Sequence, residues 1–428
     1  MMIKSKNGLI VVVDVGSSKI TGIACRYQKQ GGENVVTILG TSFHKSRGIK
    51  QGYITDITLA KEALQHVLSD LETQIHERIE GVVIGLPASI LQSHHFRLRA
   101  SIPHGQVRLD DMRRLLSQCQ QILGQNSKEQ VIHSIPLSYQ IADTDEIDNP
   151  LHMFGSPLTA RAHCIAAITE KLMTLVHCLG LCQVNVHGFV AGGYAAGMAT
   201  LTEDERYQGV TLFDIGAHTV AITQWRQGKC SHLGYVPIGG GHITADIAQG
   251  LSLSLEQAEQ MKTVYGNATV IARDIHQILD LPFLQEESAL TPRLPVTQAM
   301  LGEIIHPRVE EIAEMALRSL KKSPQEQTTL SRLVITGGGS NLLGIAQVLE
   351  SVLKTHTIRL GTPNTEGWLF EQSEASNALS LPIYAVAVGL LKFTLYQLVE
   401  SSYDGGTYET AHSPWERAKQ WVRGHLTS

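Results

Sequence analysis

Apolar and polar residues alternate along the chain in blocks that predict a mixed α/β protein. Short apolar runs at 9–15 (LIVVVDV), 81–87 (GVVIGLP) and 209–215 (GVTLFDI) are typical of buried β-strands. After Asp56, a good helix N-cap, apolar residues recur every three or four positions as far as Ile79, which is typical of a helix with one buried face. Because strands and helices mix along the whole chain, we predict an α/β fold.

One motif occurs twice, each time between two strand-like segments. The first copy is DVGSSK, from Asp14 to Lys19, and the second is DIGAHT, from Asp214 to Thr219. A repeat of strand, tight turn and strand predicts two similar α/β lobes.

The segment 85–160, between the two copies, has an alternation and a helix of its own. Its helix pattern is carried by Leu109, Met112, Leu115, Leu116 and Ile122. We therefore predict that this segment is a compact inserted α+β subdomain.

Bulk composition narrows the class of protein. A chain of 428 residues with 43% apolar and 18% charged residues is globular and long enough for two to four domains. A net charge of -5 argues against a nucleic-acid-binding protein. The six cysteines are scattered and lack a CxxC pair, which favours reduced thiols inside a cell. Cys178 and Cys182 have helical spacing, so we interpret them as core residues rather than as metal ligands.

Neither a leader nor a membrane-spanning segment is predicted. The apolar run 9–15 is short and contains Asp14, so we interpret it as a first β-strand rather than as a signal peptide. No segment approaches the ~20 apolar residues of a membrane span. We expect a cytosolic protein unless another feature tethers it.

Glycines in three turns predict a phosphate-binding site. Glycine after aspartate in a hairpin turn lets backbone N–H groups approach phosphate oxygens, and the carboxylate can hold Mg²⁺ through water. A third cluster, TGGGSN at 336–341, follows the strand-like run LVIT and opens a helix pattern. The alternative is that all three are structural turns. The chain lacks GxxxxGK[ST], GxGxxG at this cluster, GxSxG and HExxH, so the usual hydrolase and dehydrogenase motifs are missing.

The order of four motifs resembles a known superfamily. VVDVGSSK, LFDIGAHT, VITGGGSNL and PIYAVAVGLLKF are similar to the phosphate-1, phosphate-2, adenosine and second connecting motifs of actin, heat-shock chaperones and sugar kinases. Within it the chain resembles the FtsA family of bacterial cell-division proteins, on IHSIPLSYQIAD, LTEDERYQGVTLFDIG and DIAQGLSLSLEQAEQMKTVYG. The resemblance covers nearly the whole chain and implies an actin-like two-lobed ATPase fold with the inserted α+β subdomain and a C-terminal amphipathic helix.

This resemblance implies a division of the chain. The expected units are the first lobe (1–84), the inserted subdomain (85–160), the first lobe again (161–192), the second lobe (193–243), its own subdomain (244–317), the second lobe again (318–362), a return to the first lobe (363–398), a flexible linker (399–413) and a membrane-targeting helix (414–428).

The resemblance also implies an ATP site between the lobes. Asp14 and Asp214 would face Mg²⁺ through water. Glu259 and Lys262 would meet the ribose and adenine, unless they form an ordinary solvated helix face. The remaining implied contacts are Gly16, Ser17, Ser18 and Lys19 on one side of the phosphates, Gly216, Ala217, His218 and Thr219 on the other, and Gly337, Gly338, Gly339 and Ser340 along the adenosine.

Three positions depart from the pattern of many relatives. Ala217, His218 and Ala221 stand where those relatives have two glycines and an aspartate. If His218 needs a positive φ, the strain is roughly 1–2 kcal/mol. Losing a carboxylate at Ala221 removes a group that could order Mg²⁺ or the attacking water. We expect nucleotide binding with slow hydrolysis, and a charged His218 that helps phosphate binding is the alternative.

The last fifteen residues predict a helix that lies in a membrane surface. On a helical wheel the apolar residues fall on one side and the basic residues on the other. Tryptophans are favoured at the depth of the lipid headgroups. The residues expected to meet lipid are Trp415, Arg417, Ala418, Lys419, Trp421, Val422, Arg423 and Leu426. The alternative is a terminal helix that docks on its own domain. The polar segment before it has an r.m.s. reach of about 20 Å if flexible.

The implied function is that of a peripheral protein at the cytoplasmic face of the cell inner membrane. Such a protein polymerises as an actin-like filament, binds the C-terminal peptide of FtsZ through residues 244–317, and meets later division proteins at the division site. A small-molecule kinase or phosphatase of the same superfamily, and an actin-like pilus-assembly protein, remain alternatives.

Overall fold

The computed structural model describes residues 8–30, 33–124, 128–269, 277–279, 295–321, 332–355 and 357–402. The strands are β1 (Leu9–Val15), β2 (Lys19–Gln30), β3 (Glu33–Lys45), β4 (Ile49–Lys50), β5 (Tyr53–Ile54), β6 (Gly81–Leu86), β7 (Leu91–Ala100), β8 (Glu129–Ile141), β9 (Thr144–Ile147), β10 (Leu158–Ile168), β11 (Asn185–Ala191), β12 (Val210–Ile215), β13 (Val220–Arg226), β14 (Lys229–Val236), β15 (Leu333–Thr336), β16 (Ile358–Leu360) and β17 (Leu369–Phe370).

The helices are α1 (Ile57–Ile75), α2 (Leu109–Gly124), α3 (Thr169–Leu181), α4 (Gly192–Thr200), α5 (Glu203–Gln208), α6 (Gly240–Leu251), α7 (Leu255–Tyr265), α8 (Gln298–Leu320), α9 (Ile345–Leu353), α10 (Ser373–Leu379) and α11 (Ala385–Ser402). The expected N-cap of the first helix is confirmed, because the Asp56 carboxylate accepts hydrogen bonds from the N–H groups of Thr58 and Leu59 at 2.9 and 3.1 Å.

The first lobe is built on a six-stranded sheet with the order β11-β6-β1-β2-β3-β17. Every residue of β6 is buried, because helices cover both faces of the sheet. On one face α1 packs with its predicted apolar stripe, which includes Leu64, Val67 and Leu71. On the other face α11 contributes Val388 and Leu391 to a second core. The turn between β1 and β2 therefore lies at one end of the two central strands of this sheet.

The second lobe repeats this arrangement with the strand order β14-β13-β12-β15-β16. In the first lobe β1 pairs antiparallel with β2 and parallel with β6. In the second lobe β12 pairs in the same way with β13 and β15. Helices α6, α7, α8 and α9 pack around this sheet through buried residues such as Ile243, Met261 and Ile312. The repeated motif in the sequence therefore marks a repeated topology, and the predicted α/β two-lobed fold is confirmed.

The inserted subdomain is a four-stranded sheet, β7-β10-β8-β9, with α2 on one face. Met112, Leu115 and Leu116 of α2 are buried there as predicted, whereas Ile122 is 44% exposed. Leu123 packs against the core in its place, so the stripe shifts by one residue at the end of the helix. Strand β10 continues to Ile168, past the expected boundary at 160, because it pairs with β7 and β8 along almost its whole length.

Two cysteines of this subdomain lie together, which the sequence did not predict. Cys119 of α2 and Cys164 of β10 are both buried and form a disulfide with a Cα–Cα distance of 6.7 Å. The expectation of unpaired thiols is therefore wrong for this pair. Cys178 lies on α3 as its spacing predicted, and burial raises the pKa of its thiol to about 12.

Helix α11 runs to Ser402 and so continues into the segment that was expected to be a linker. The membrane-targeting helix expected at 414–428 lies outside the described residues. Among the described residues, no single helix is long and apolar enough to span a membrane. The bent pair of helices Ser373–Leu379 and Pro382–Leu398 reaches that length and composition only when the two are taken together.

Helix α4 joins the two lobes through very close packing. A Cβ built on Gly389 of α11 would lie 1.8 Å from the carbonyl oxygen of Ala195 on α4, so the two backbones touch. On the other side of α4, a Cβ on Gly197 would lie 2.5 Å from the buried ring of Trp225 in β13. The lobes are held at a distance that only glycine permits at these crossings.

We expect the substitution Gly389→Ala to destabilise the protein by about 1–3 kcal/mol or more, because the new methyl group forces α11 away from α4. The measurement is urea unfolding. The control is Gly180→Ala in the exposed last turn of α3, where a Cβ meets nothing within 4 Å. There alanine should be neutral or stabilising by up to ~1 kcal/mol. Equal effects of the two substitutions would contradict the close-packing account.

Candidate functional site

The turn between β1 and β2 is held by neighbouring segments of the first lobe. Gly16 is required there because a Cβ would lie 2.6 Å from the carbonyl oxygen of Lys19. The Ser46 hydroxyl donates to the Gly16 carbonyl at 2.6 Å, and the Gly52 N–H donates to the Ser17 hydroxyl at 2.8 Å. The hairpin of β4 and β5 is therefore packed against this turn, and the Ser17 hydroxyl is already engaged within the protein.

The turn between β12 and β13 is tied to the start of α6. The carbonyl oxygens of Gly216 and Ala217 accept hydrogen bonds from the N–H groups of Gly240 and Gly241 at 2.9 and 2.7 Å. A Cβ on Gly239 would lie 2.3 Å from the Gly216 oxygen. The sequence interpretation missed these three glycines, although GGG directly before a helix pattern was a visible signal.

Both hairpin turns keep free backbone donors. Within the described part of the chain, the N–H groups of Ser17, Ser18, Ala217 and His218 donate no hydrogen bond to the protein. Successive free N–H groups in a turn form a concave site for anions. The arrangement can therefore hold an anionic group from two sides.

The third glycine cluster contacts the second turn. Gly337 has φ 83°, and a Cβ there would lie 2.3 Å from the Asp214 carboxylate. A Cβ on Gly339 would lie 2.5 Å from Ile215, and a Cβ on Gly240 would lie 3.6 Å from the Cα of Gly339. The structure therefore brings the second and third predicted motifs together at one end of the second-lobe sheet.

Lys262 of α7 points toward this cluster rather than into open solvent. Its ammonium group donates to the Gly240 carbonyl at 3.1 Å, to the Thr244 hydroxyl at 2.8 Å and to the Glu259 carboxylate at 2.7 Å. The Lys262 side chain is 14% exposed, whereas that of Glu259 is 54% exposed. The solvated-face interpretation of these two residues does not fit Lys262.

Asp14 and Asp214 lie close enough for their charges to interact. Burial raises the pKa of Asp14 to about 6, and the nearby Lys19 ammonium opposes that rise. Burial, with a contribution from the Asp14 charge, raises the pKa of Asp214 to about 7. Burial lowers the pKa of Lys19 to about 8, and its ammonium lies 4.0 Å from the Tyr384 ring centroid. Two desolvated carboxyl groups side by side are an arrangement that a cation would stabilise.

His218 sits in the second turn without the backbone strain that the sequence suggested. It is absent from the non-glycine residues with positive φ, so the condition under which strain was expected is not met. The turn closes through the hydrogen bond from the Gly216 N–H to the Thr219 carbonyl at 2.9 Å, which an L-residue at 218 permits. Ala221 pairs directly with Asp214 across the hairpin, so the missing carboxylate would have stood beside Asp214.

The structure thus packs Asp214 to Thr219, Lys262 and Gly337 to Ser340 together in the second lobe, and the charges of Asp14 and Lys50 act on this group from the first lobe. The Ser340 hydroxyl is turned inward, donating to the Gly337 carbonyl at 2.7 Å. Sequence interpretation missed Gly239 to His242, Lys50 and Tyr384. The predicted membrane residues lie outside the described residues.

Comparison with protein families decides the relationship. The family described as cell division protein FtsA matches residues 211–389, and the SHS2 domain inserted in FtsA matches residues 88–166. Together the two matches span more than half of the chain. The chain belongs to the FtsA family.

Curated FtsA proteins resemble the chain along nearly its whole length. It is 28% identical to cell division protein FtsA of Rhizobium meliloti, with 98% of this chain and 95% of the relative covered. It is 26% identical to FtsA of Pseudomonas aeruginosa, with 98% of both chains covered. For Escherichia coli FtsA the identity is 25% and the coverage 92% of both. The chain is therefore a cell-division protein of the FtsA type.

Solved structures show that the FtsA-family chain has the actin-like fold. A PilM–PilN type IV pilus biogenesis complex matches with a TM-score of 0.64 and 16% identity, covering 91% of this chain and 98% of the other. MreB5 of Spiroplasma citri, in a structure bound to ADP, matches with a TM-score of 0.55 and 11% identity over 93% of this chain and 100% of the other.

We expect Asp214→Asn to stabilise the nucleotide-free protein more at about pH 8 than at about pH 5. The Asp214 carboxyl has a raised pKa of about 7 in the folded protein, so the folded state holds this proton more tightly than the unfolded state does. The folded protein therefore loses stability as pH rises from the pKa of the unfolded state toward about 7. Asparagine removes that loss. The measurement is the melting temperature across pH. The exposed Asp70→Asn is the control and should show no such trend. A pH-independent effect of Asp214→Asn would count against carboxyl desolvation in the cleft.

Proposed function

We propose that this chain binds ATP with Mg²⁺ in the cleft between its lobes. The observation that carries the proposal is the pair of facing hairpin turns with free N–H groups, in a chain of the FtsA family. A side chain at Gly16, Gly239 or Gly339 would collide with neighbouring protein atoms, so these glycines are required for the turns to keep their shape. Free N–H groups in both turns and two buried carboxyl groups fit the phosphates and the Mg²⁺ of a nucleotide.

Each side of the cleft supplies a different part of this site. Gly16, Ser17, Ser18 and Lys19 would meet the phosphates from the first lobe, and Gly216, Ala217, His218 and Thr219 from the second. Lys262 and Glu259, with Gly337, Gly338, Gly339 and Ser340, would hold the nucleoside. Asp14 and Asp214 would hold Mg²⁺ through water, and the ion would supply positive charge against the phosphates.

Hydrolysis at this site should be slow. Ala221 lies opposite Asp214 and carries no group that could accept a proton from water. His218 occupies the place of a glycine in the phosphate-facing turn and adds a ring there. We therefore propose a protein whose nucleotide mainly controls assembly, with ATPase activity that is ancillary at most.

We further propose that the protein polymerises on the cytoplasmic face of the cell inner membrane and tethers the FtsZ ring to it. The sequence of residues 414–428 supports a peripheral attachment by an interfacial helix. One such helix binds weakly, and a filament that displays many of them binds by multivalency. FtsZ would dock through its C-terminal peptide on residues 244–317, and later division proteins would join the same assembly.

The alternative functions have less support. A small-molecule kinase or phosphatase has no use for a basic, tryptophan-bearing tail. An actin-like pilus-assembly function rests only on a fold-level likeness at 16% identity, whereas FtsA relatives match along nearly the whole chain.

Lys262→Ala should weaken the binding of ATP, because the substitution removes a cation that lines the cleft. A hydrogen bond to a charged group contributes about 1.5–3 kcal/mol, so we expect affinity to fall by roughly ten- to a hundredfold. Equilibrium binding of a fluorescent ATP analogue measures it. Lys321→Ala, at the exposed end of α8, is the matched control and should bind normally. Undiminished affinity in Lys262→Ala would remove this residue from the site.

Deletion of residues 414–428 should abolish co-sedimentation with vesicles of phosphatidylethanolamine and phosphatidylglycerol, while ATP binding and the melting temperature stay unchanged. The reason is that the apolar and basic sides of the expected helix are the proposed lipid contact. A variant that exchanges only Trp415 and Trp421 for alanine should lose most of the binding as well. If the truncated protein still pelleted with vesicles, the tether would have to lie elsewhere.

A further inference from the structure

Three cationic or titratable side chains converge beside the second turn. His218 belongs to that turn, His242 to the first turn of α6, and Lys50 to β4 of the opposite lobe. The rings of His218 and His242 lie 5.9 Å apart between centroids in an edge-to-face arrangement. Lys50 is close enough for its charge to act on His218 across the cleft.

Lys50 reaches this place because its hairpin is fixed against the first turn. The N–H of Gly52, two residues after Lys50, donates to the Ser17 hydroxyl at 2.8 Å. The hairpin thus carries Lys50 close to the first turn. His218 stands in the second turn, whose backbone donors are free, and the charge of Lys50 acts on it from the first lobe.

The two histidines differ in their hydrogen bonds in the protein without ligand. The Gly239 N–H donates to Nδ1 of His242 at 3.2 Å, so the neutral His242 ring carries its proton on Nε2. Nδ1 of His218 is buried and has no hydrogen-bond partner among the described residues. Burial, His242 and Lys50 together lower the pKa of His218. A buried polar nitrogen without a partner costs free energy, and a ligand group that hydrogen-bonds to it would remove that cost.

We propose that His218, His242 and Lys50 form a subsite for the polyphosphate of the nucleotide, and that His218 takes up a proton when the polyphosphate binds. The inference rests on the proposed ATP binding. An anion placed between His218 and Lys50 attracts both side chains in their charged forms, so it favours protonation of the imidazole, which the Lys50 charge opposes in the free protein. Nucleotide binding in this chain is then coupled to pH.

Other charged groups line the cleft besides those that act on His218. Lys50 and His242 are the titratable groups whose charge acts on His218. Asp14 and Lys19 line the first-lobe side, and Asp214, Glu259 and Lys262 line the second-lobe side. A phosphate near the two aspartic acids also affects their protonation, so the contribution of His218 has to be isolated by substitution.

The sign of the coupling follows from the free-protein state. His218 titrates below the ordinary histidine value without ligand and at a higher pH with polyphosphate bound. Affinity is then greatest at low pH and falls as pH rises through that window. Each unit by which bound polyphosphate raises the pKa of one group corresponds to a factor of about ten in affinity, which is lost as pH rises from the pKa of His218 in the free protein to its pKa in the complex.

The experiment is isothermal titration calorimetry of the full chain with Mg²⁺ and the non-hydrolysable analogue AMPPNP. Titrations near neutral pH in two buffers of different ionisation enthalpy give the number of protons taken up on binding. We expect the number of protons taken up on binding to be smaller in His218→Gln than in the natural protein, because glutamine keeps a polar side chain of similar reach but cannot gain a charge. The fall of affinity with pH should flatten in the same variant. His177→Gln, on the exposed side of α3, is the matched control and should behave as the natural protein does.

The outcomes separate the two proposals. No saturable heat with AMPPNP in the natural protein would overturn ATP binding itself. Saturable binding with equal proton counts in the natural protein and in His218→Gln would overturn the role of His218 and leave ATP binding standing. Lys50→Gln extends the test, because removal of the lysine should raise the pKa of free His218 and so reduce the proton uptake. An unchanged uptake in Lys50→Gln would exclude Lys50 from the subsite.

Discussion

The burial of two carboxyl groups is the constraint on which the chemistry of the cleft depends. Asp14 is the last residue but one of β1 and Asp214 holds the same place in β12, and burial raises the pKa of both. In isolation such a pair is unfavourable. The structure tolerates it because the surrounding core, with sheets and helices on all sides, positions the two strands independently of the charges that they carry.

Close backbone packing is what brings the two carboxyl groups together. Helix α4 touches α11 at Gly389 on one side and the ring of Trp225 beside Gly197 on the other. Because no side chain intervenes, the first-lobe and second-lobe sheets approach each other through one helix. The same rule acts inside the second lobe, where Gly239 and Gly337 let α6 and the third glycine cluster contact the turn after β12. Glycine at these places serves packing of protein on protein as well as access for a ligand.

Several features of the cleft were predictable from the sequence. The repeated Asp-x-Gly turn between strands predicted two related lobes, and the paired topologies of β1 and β12 confirm it. The apolar periodicity after Asp56 predicted α1, because a helix that packs on a sheet has to bury one stripe of side chains. By contrast, Lys50 carries no local pattern that distinguishes it from an ordinary loop residue, and the glycines at 239–241 mark the start of a helix without showing what it contacts. Their role depends on contacts with segments far away in the chain.

The sequence by itself determined the α/β class, the two lobes, the inserted subdomain and the glycine turns, since each depends on periodicity or on turn chemistry within a few residues. Only the tertiary structure decided that Lys262 turns inward onto Gly240, that Cys119 meets Cys164, and that His218 keeps an ordinary backbone conformation. It also decided which charges face one another across the cleft. Electrostatic environment depends on distance in space and on burial, and neither can be read from spacing along the chain.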